Sequence, residues 1–105
     1  GIPVDCQIEG EDSFVLLVDV SEKGFRIVRR ESTALKEGTF AELHVEDEEF
    51  DFVLHGIIVW SKRIDDGKIM YGCKLLKEKS SEELLPYIKV KQKKLLEELT
   101  SEIGK

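Results

Sequence analysis

A hydrophobic period of two, recurring six times along the chain, constrains its fold more than any other feature. Ile2, Val4, Cys6 and Ile8 alternate with polar residues, the pattern of a strand with one face buried. The run "SFVLLVD" is apolar, short and rich in β formers, and reads as a second strand. "FRIVRR" alternates again, with Phe25, Ile27 and Arg29 on one face, and "TFAELHV" keeps the period through Ala41, Leu43 and Val45. In "FDFVLHGIIVWSKR", the longest candidate, Phe52, Leu54, Ile58 and Trp60 share a face, and Gly56 suggests a bulge or bend. "KIMYGCKLL" completes the set with Ile69, Tyr71, Cys73 and Leu75 in phase. Turn signals separate the runs: "EGED", residues 19–24, "ALKEGT", the acidic "EDEEFD" and "DDG". The acidic stretch reads as a solvated hairpin connection, since a calcium loop wants carboxylates at set offsets and a glycine for its sharp turn.

The period then changes. "SSEELLPYIKVKQKKLLEELTSEIGK" opens with Ser80 and Glu83 at capping-box spacing and carries Pro86 near the first turn. Leu85, Ile88, Leu95, Leu99 and Ile103 follow at three- and four-residue steps, predicting an amphipathic helix of about 20 residues, roughly 30 Å long. The expected architecture is all-β with a C-terminal helix: a six-stranded antiparallel β-barrel over residues 1–79, with residues 80–105 as a helix of the same single domain. The helix is expected to pack on its own barrel. Its near-heptad leucines, broken by Gln92, leave helix-mediated dimerisation as the alternative to a monomer.

Composition narrows the function. A formal net charge of −6 argues against sequence-independent binding of DNA or RNA, which needs clustered Lys and Arg. Any anionic ligand must therefore find a local cluster of positive charge. No apolar run reaches the roughly 18 residues of a membrane span, and the first residues lack the basic and apolar regions of a signal peptide. Cys6 and Cys73 fall on apolar faces of strand candidates, so free, buried thiols in a reducing cytoplasm are expected, with a disulfide as the alternative. His44 and His55 lack partners at metal-ligand spacing, and no nucleophile motif or phosphate loop occurs. The reading is a non-enzymatic protein without metal or cofactor.

One turn stands apart. Asp19-x-Ser21-x-x-Gly24 joins two strand candidates. By itself it makes a serviceable turn, with Asp and Ser bonding their own backbone and Gly in the left-handed region. It also resembles the second signature of PilZ domains, bacterial receptors for the second messenger cyclic di-GMP. The likeness continues through "ALKEGT", similar to a Leu-x-x-Gly segment, "GIIVWSKR", similar to a Val-x-Trp strand, "YGCKL", similar to a Gly-x-x-(Phe or Leu) strand, and "YIKVKQKKLL", similar to a C-terminal helix. The resemblance implies a sensor or adaptor module controlling motility, pili or exopolysaccharide through an unknown protein partner. It implies that Asp19, Ser21 and Gly24 line the ligand, with Arg26 and Trp60 as further candidates. Asp19 would accept from a guanine edge, Ser21 would bond a base or phosphate oxygen, and Gly24 would take a positive φ and admit the ligand. Trp60 is weighed as ligand-lining or as a neighbour of Arg63, against core or rim packing.

The family's first signature, Arg-x-x-x-Arg ahead of the first strand, would fall before Gly1. Either the chain is trimmed from a parent that carries it, as an initial Gly without Met suggests, or the protein is a degenerate member that acts as an interaction module without the nucleotide. Arg26 and Arg30 have the same spacing but lie on a strand, roughly 13 Å apart, and cannot copy a flexible arm.

Overall fold

The computed structural model describes residues 1–76, 84 and 86–90. Six strands, β1 (Ile2–Ile8), β2 (Glu11–Val20), β3 (Gly24–Arg30), β4 (Phe40–Glu46), β5 (Asp51–Asp65) and β6 (Lys68–Leu75), form a closed antiparallel barrel. Around it they run in the order β1, β2, β3, β6, β5, β4, and β4 returns to pair with β1. Alternation decides the inside. Val4, Cys6, Ile8, Val15, Leu17, Phe25 and Ile27 point inward from the first three strands. They meet Ala41, Leu43, Val45, Phe52, Leu54, Ile58, Ile69 and Tyr71 from the other three. No charged side chain is buried among the described residues. Emptying one such position, as in Leu43→Ala, costs about 2–5 kcal/mol in cores of this kind.

The connections follow from local chemistry. Glu9 and Gly10 take φ of 53° and 80°, so they form a two-residue turn of the kind whose twist matches a hairpin. Glu11 and Asp12, read from sequence as part of that turn, already belong to β2. The acidic connection is a hairpin: Asp47 Oδ1 accepts from the N–H groups of Glu49 and Phe50, both at 2.8 Å. Between β3 and β4, Leu35 packs on the core and its N–H donates to Tyr71 Oη at 2.9 Å. Tyr71 in turn donates to Glu31; burial first, then this bond, pushes its phenol up to about 12. Gly38 closes that loop at φ +89°, donating to Ile58 O at 2.7 Å. Its left-handed conformation gives the Leu-x-x-Gly segment its glycine.

Cys6 and Cys73 are free and buried, as expected from their phase. Burial pushes their thiols up to about 11 and about 12, which leaves both as inert apolar filling. Leu84 and residues 86–90 are helical, and Tyr87 packs edge-on against Phe50 and Phe52 at 5.3 and 5.1 Å. Among the described residues, no helix is long and apolar enough to cross a membrane. The remainder of the expected C-terminal helix, with Leu85, Leu95, Leu99 and Ile103, lies outside the described residues, and so does the dimer seam read from it.

Candidate functional site

Two one-residue insertions in the barrel build the site. Between β2 and β3 the register passes from Leu17 opposite Ile27 to Asp19 opposite Arg26, leaving Val18 unmatched. Between β5 and β6 it passes from Ile58 opposite Cys73 to Trp60 opposite Gly72, leaving Val59 unmatched. Each bulge reverses the alternation that follows it. Leu17 and Ile58 are buried in the core, and simple alternation would have sent Asp19 and Trp60 in after them. Instead both join the outer face. Arg26 stands opposite Gly72 on that face. Asp19, Arg26, Gly72 and Trp60 therefore form one level row across β2, β3, β6 and β5.

Within the row, Arg26 Nε donates to both carboxylate oxygens of Asp19 at 3.0 Å, and Nη2 donates to Oδ2. The pair is about half exposed, so solvent screens it and it adds little to stability. What it fixes is orientation. Hydrogen bonding from Arg26 also holds the Asp19 carboxyl below the ordinary carboxylate value, so Asp19 is an anion at neutral pH. At the other end, a Cβ on Gly72 would sit 2.0 Å from Trp60 Nε1. Only glycine lets the indole lie against β6. Trp60 stays 38% exposed, so it does not share the inward face of Phe52, Leu54 and Ile58 that simple alternation predicts for it. Arg63 does not meet it either; its guanidinium donates to Ser32 O at 2.7 Å.

The turn entering β3 completes the wall. Ser21 N–H donates to Gly24 O at 2.8 Å, and Ser21 Oγ accepts from Lys23 N–H at 3.2 Å. Gly24 departs from expectation. Its φ is not in the left-handed region, where the described glycines are Gly10, Gly38 and Gly67. A Cβ there would lie 2.2 Å from the Cys73 carbonyl oxygen, so it is the approach of β6 that excludes a side chain. Asp19, Ser21, Gly24, Arg26 and Trp60 all line a single open hollow of about 480 Å³, together with Lys23, Gly72 and Lys74. Arg30, at the Arg-x-x-x-Arg spacing from Arg26, lines a different hollow.

A family model described as PilZ domain matches residues 1–89. The chain belongs to the PilZ domain family. The match takes in all six strands of the barrel. PilZ domains are receptors for cyclic di-GMP, and the family binds rather than catalyses. No curated protein and no solved structure matches the chain.

In this PilZ domain, sequence reasoning missed the contributions of Lys74, Val59 and Gly72, and it left open that of Lys23, a free position of the turn. Gly72 heads the Gly-x-x-(Phe or Leu) segment, so its signal was present. Its meaning required knowing that Trp60 lies across from it. Lys23 and Lys74 carry no local signature, because the register that brings β6 beside the turn is set by the whole barrel.

Proposed function

We propose that this PilZ domain is a non-enzymatic cytoplasmic receptor module for cyclic di-GMP, relaying it to a protein partner in control of motility, pili or exopolysaccharide. The observation that carries this reading is the convergence of Asp19, Ser21, Gly24, Arg26 and Trp60 on one hollow. Three cations line it, Lys23, Arg26 and Lys74, against the single carboxylate of Asp19. A chain of net charge −6 thus offers a dianion the local positive field it needs. Asp19 accepts N1–H and N2–H of a guanine through oxygen lone pairs that Arg26 leaves open. Arg26 presents the plane of its guanidinium to a base or its edge to a phosphate. The exposed indole of Trp60 supplies a stacking surface. Gly1 lies beside Leu17 and Val18, so a segment joined ahead of it would be delivered to the Asp19 end of the row. Ordering such an arm over the ligand is the step that would change docking on a partner.

The Asp19/Arg26 pair favours a second reading. Both carboxylate oxygens already accept from the guanidinium, so the row is held in place without a ligand, as in a module that binds only protein. Calorimetric titration with cyclic di-GMP at low salt separates the two, on this chain and on one with Arg-x-x-x-Arg joined ahead of Gly1. The receptor reading expects saturable heat, weakened at least about tenfold by Asp19→Ala through loss of a charge-assisted contact, with the thermal midpoint little changed. No heat from either chain would retire the receptor reading in favour of the second.

A further inference from the structure

β5 runs on past the strand that flanks it. It pairs with β4 from Asp51 to Ile57, and the ladder ends where Ile58 exchanges backbone bonds with Gly38 and Thr39. The strand nevertheless continues to Asp65. Residues 59–65, about 20 Å of strand, are paired with β6 alone among the described elements. All seven are exposed.

The phase of β6 decides which backbone groups are left over. Leu75 N–H donates to Lys23 O, on the β3 side, and Leu76 N–H donates to His55 O, on the β5 side, at 3.0 and 2.8 Å. The β3/β6 register has no break. Odd-numbered residues of β6 therefore turn their backbone groups to β3, and even-numbered ones turn theirs to β5. Ser61 stands opposite Tyr71 and Arg63 opposite Ile69. Both thus aim N–H and C=O away from β6, and no backbone bond from another described residue meets them. An extended segment laid along this edge would find donors and acceptors at strand spacing, which is what strand addition needs.

The charges select the segment. Lys62 lies on the outer face in the row of Met70 and Val28, and Lys68 and Arg30 occupy the next row. Arg63 lies on the opposite face, its guanidinium donating to Ser32 O at 2.7 Å. Neither Lys62 nor Arg63 makes an ion pair among the described residues. Asp65, at the end of the stretch, stands opposite Lys68. A second copy is a poor occupant. Antiparallel pairing of two such edges through Ser61 and Arg63 sets Lys62 directly against its own counterpart, where like charges repel. The same cations draw a strand of opposite charge.

We infer that residues 59–65 of β5 are a docking edge for an acidic, extended segment of a partner protein, which joins the sheet through the backbone of Ser61 and Arg63 and pairs its carboxylates with Lys62. This uses neither Asp19 nor Arg26 and stands apart from nucleotide binding. The test is an NMR titration of the chain with a blocked nonapeptide alternating Glu and Val. Its controls are the same peptide with Lys for Glu and the Glu peptide N-methylated throughout. Saturable shifts along residues 59–65 are expected, with the Ser61 and Arg63 amides gaining protection from exchange. Lys62→Glu should weaken binding at least about tenfold, as a like charge set against the carboxylates does. Ser61→Pro removes an outward N–H without costing a bond to β6, and should abolish binding while the dispersed barrel resonances remain. No shifts at millimolar Glu peptide would overturn the inference. So would equal binding of the Lys peptide or the N-methylated one, or a Lys62→Glu chain that binds as tightly as the parent.

Discussion

Gly72 contributes to the hollow by having no side chain. A Cβ would lie 2.0 Å from Nε1 and 2.1 Å from Cε2 of Trp60, inside any allowed contact, and the indole is the part able to move. Gly72→Ala should therefore evict the ring at a cost of about 1–3 kcal/mol, the usual range for overpacking. Trp60 is the single tryptophan of the chain, so its emission reports the ring directly. A shift of the emission maximum toward that of free indole in water is expected, with the far-ultraviolet dichroism retained. An unmoved maximum would mean that Gly72 does not hold the ring. Gly24 differs in kind. The obstacle there is the Cys73 carbonyl of the neighbouring strand, which cannot rotate away, so a substitution at Gly24 tests the sheet more than the ligand.

Among the elements, the hairpin of β4 and β5 carries a titratable clasp, in which His44 Nε2–H donates to Asp51. This bond raises the His44 pKa above 6.5, and the charges of Asp51, Glu46 and Asp5 add to the effect. The clasp is therefore complete below the unfolded value of 6.5 and is lost as pH rises through the folded value. In an NMR titration the ring should titrate above 6.5, and Asp51→Asn should bring it back toward that value. Strand periodicity made all six elements legible in the sequence, because an inward-facing strand has to alternate. The bulges were not legible. Val18 and Val59 are β-branched residues at home in any strand, and nothing local marks either as the residue to be skipped. Gly56 drew attention as the bend of β5, yet its register with Ala41 and Leu75 is regular. Its missing side chain instead makes room for the ring of Phe25, 2.6 Å from where a Cβ would be. Asp19, Ser21, Gly24, Arg26 and Trp60 were nameable from motif resemblance. Their meeting depends on the two phase reversals, which only the assembled barrel reveals.

For the whole molecule, closure rests on one of the two shortest ladders. β1 and β4 pair over four register positions, residues 5–8 against 41–44, as few as β2 and β3, whereas β5 and β6 pair over eight and β3 and β6 over seven. Local opening follows the shorter ladders. Amide hydrogen exchange should accordingly proceed faster at the β1/β4 seam than at β5/β6, and uniform protection around the ring would contradict this. While the seam holds, the ring has no first or last strand among the described elements. Where the ladders run on both sides of a strand, a visiting peptide thus finds no row of unpaired backbone groups on which to lay an extra strand. Along those doubly paired stretches any conversation with another molecule is spoken by side chains, and each word of it can be deleted by a single codon change.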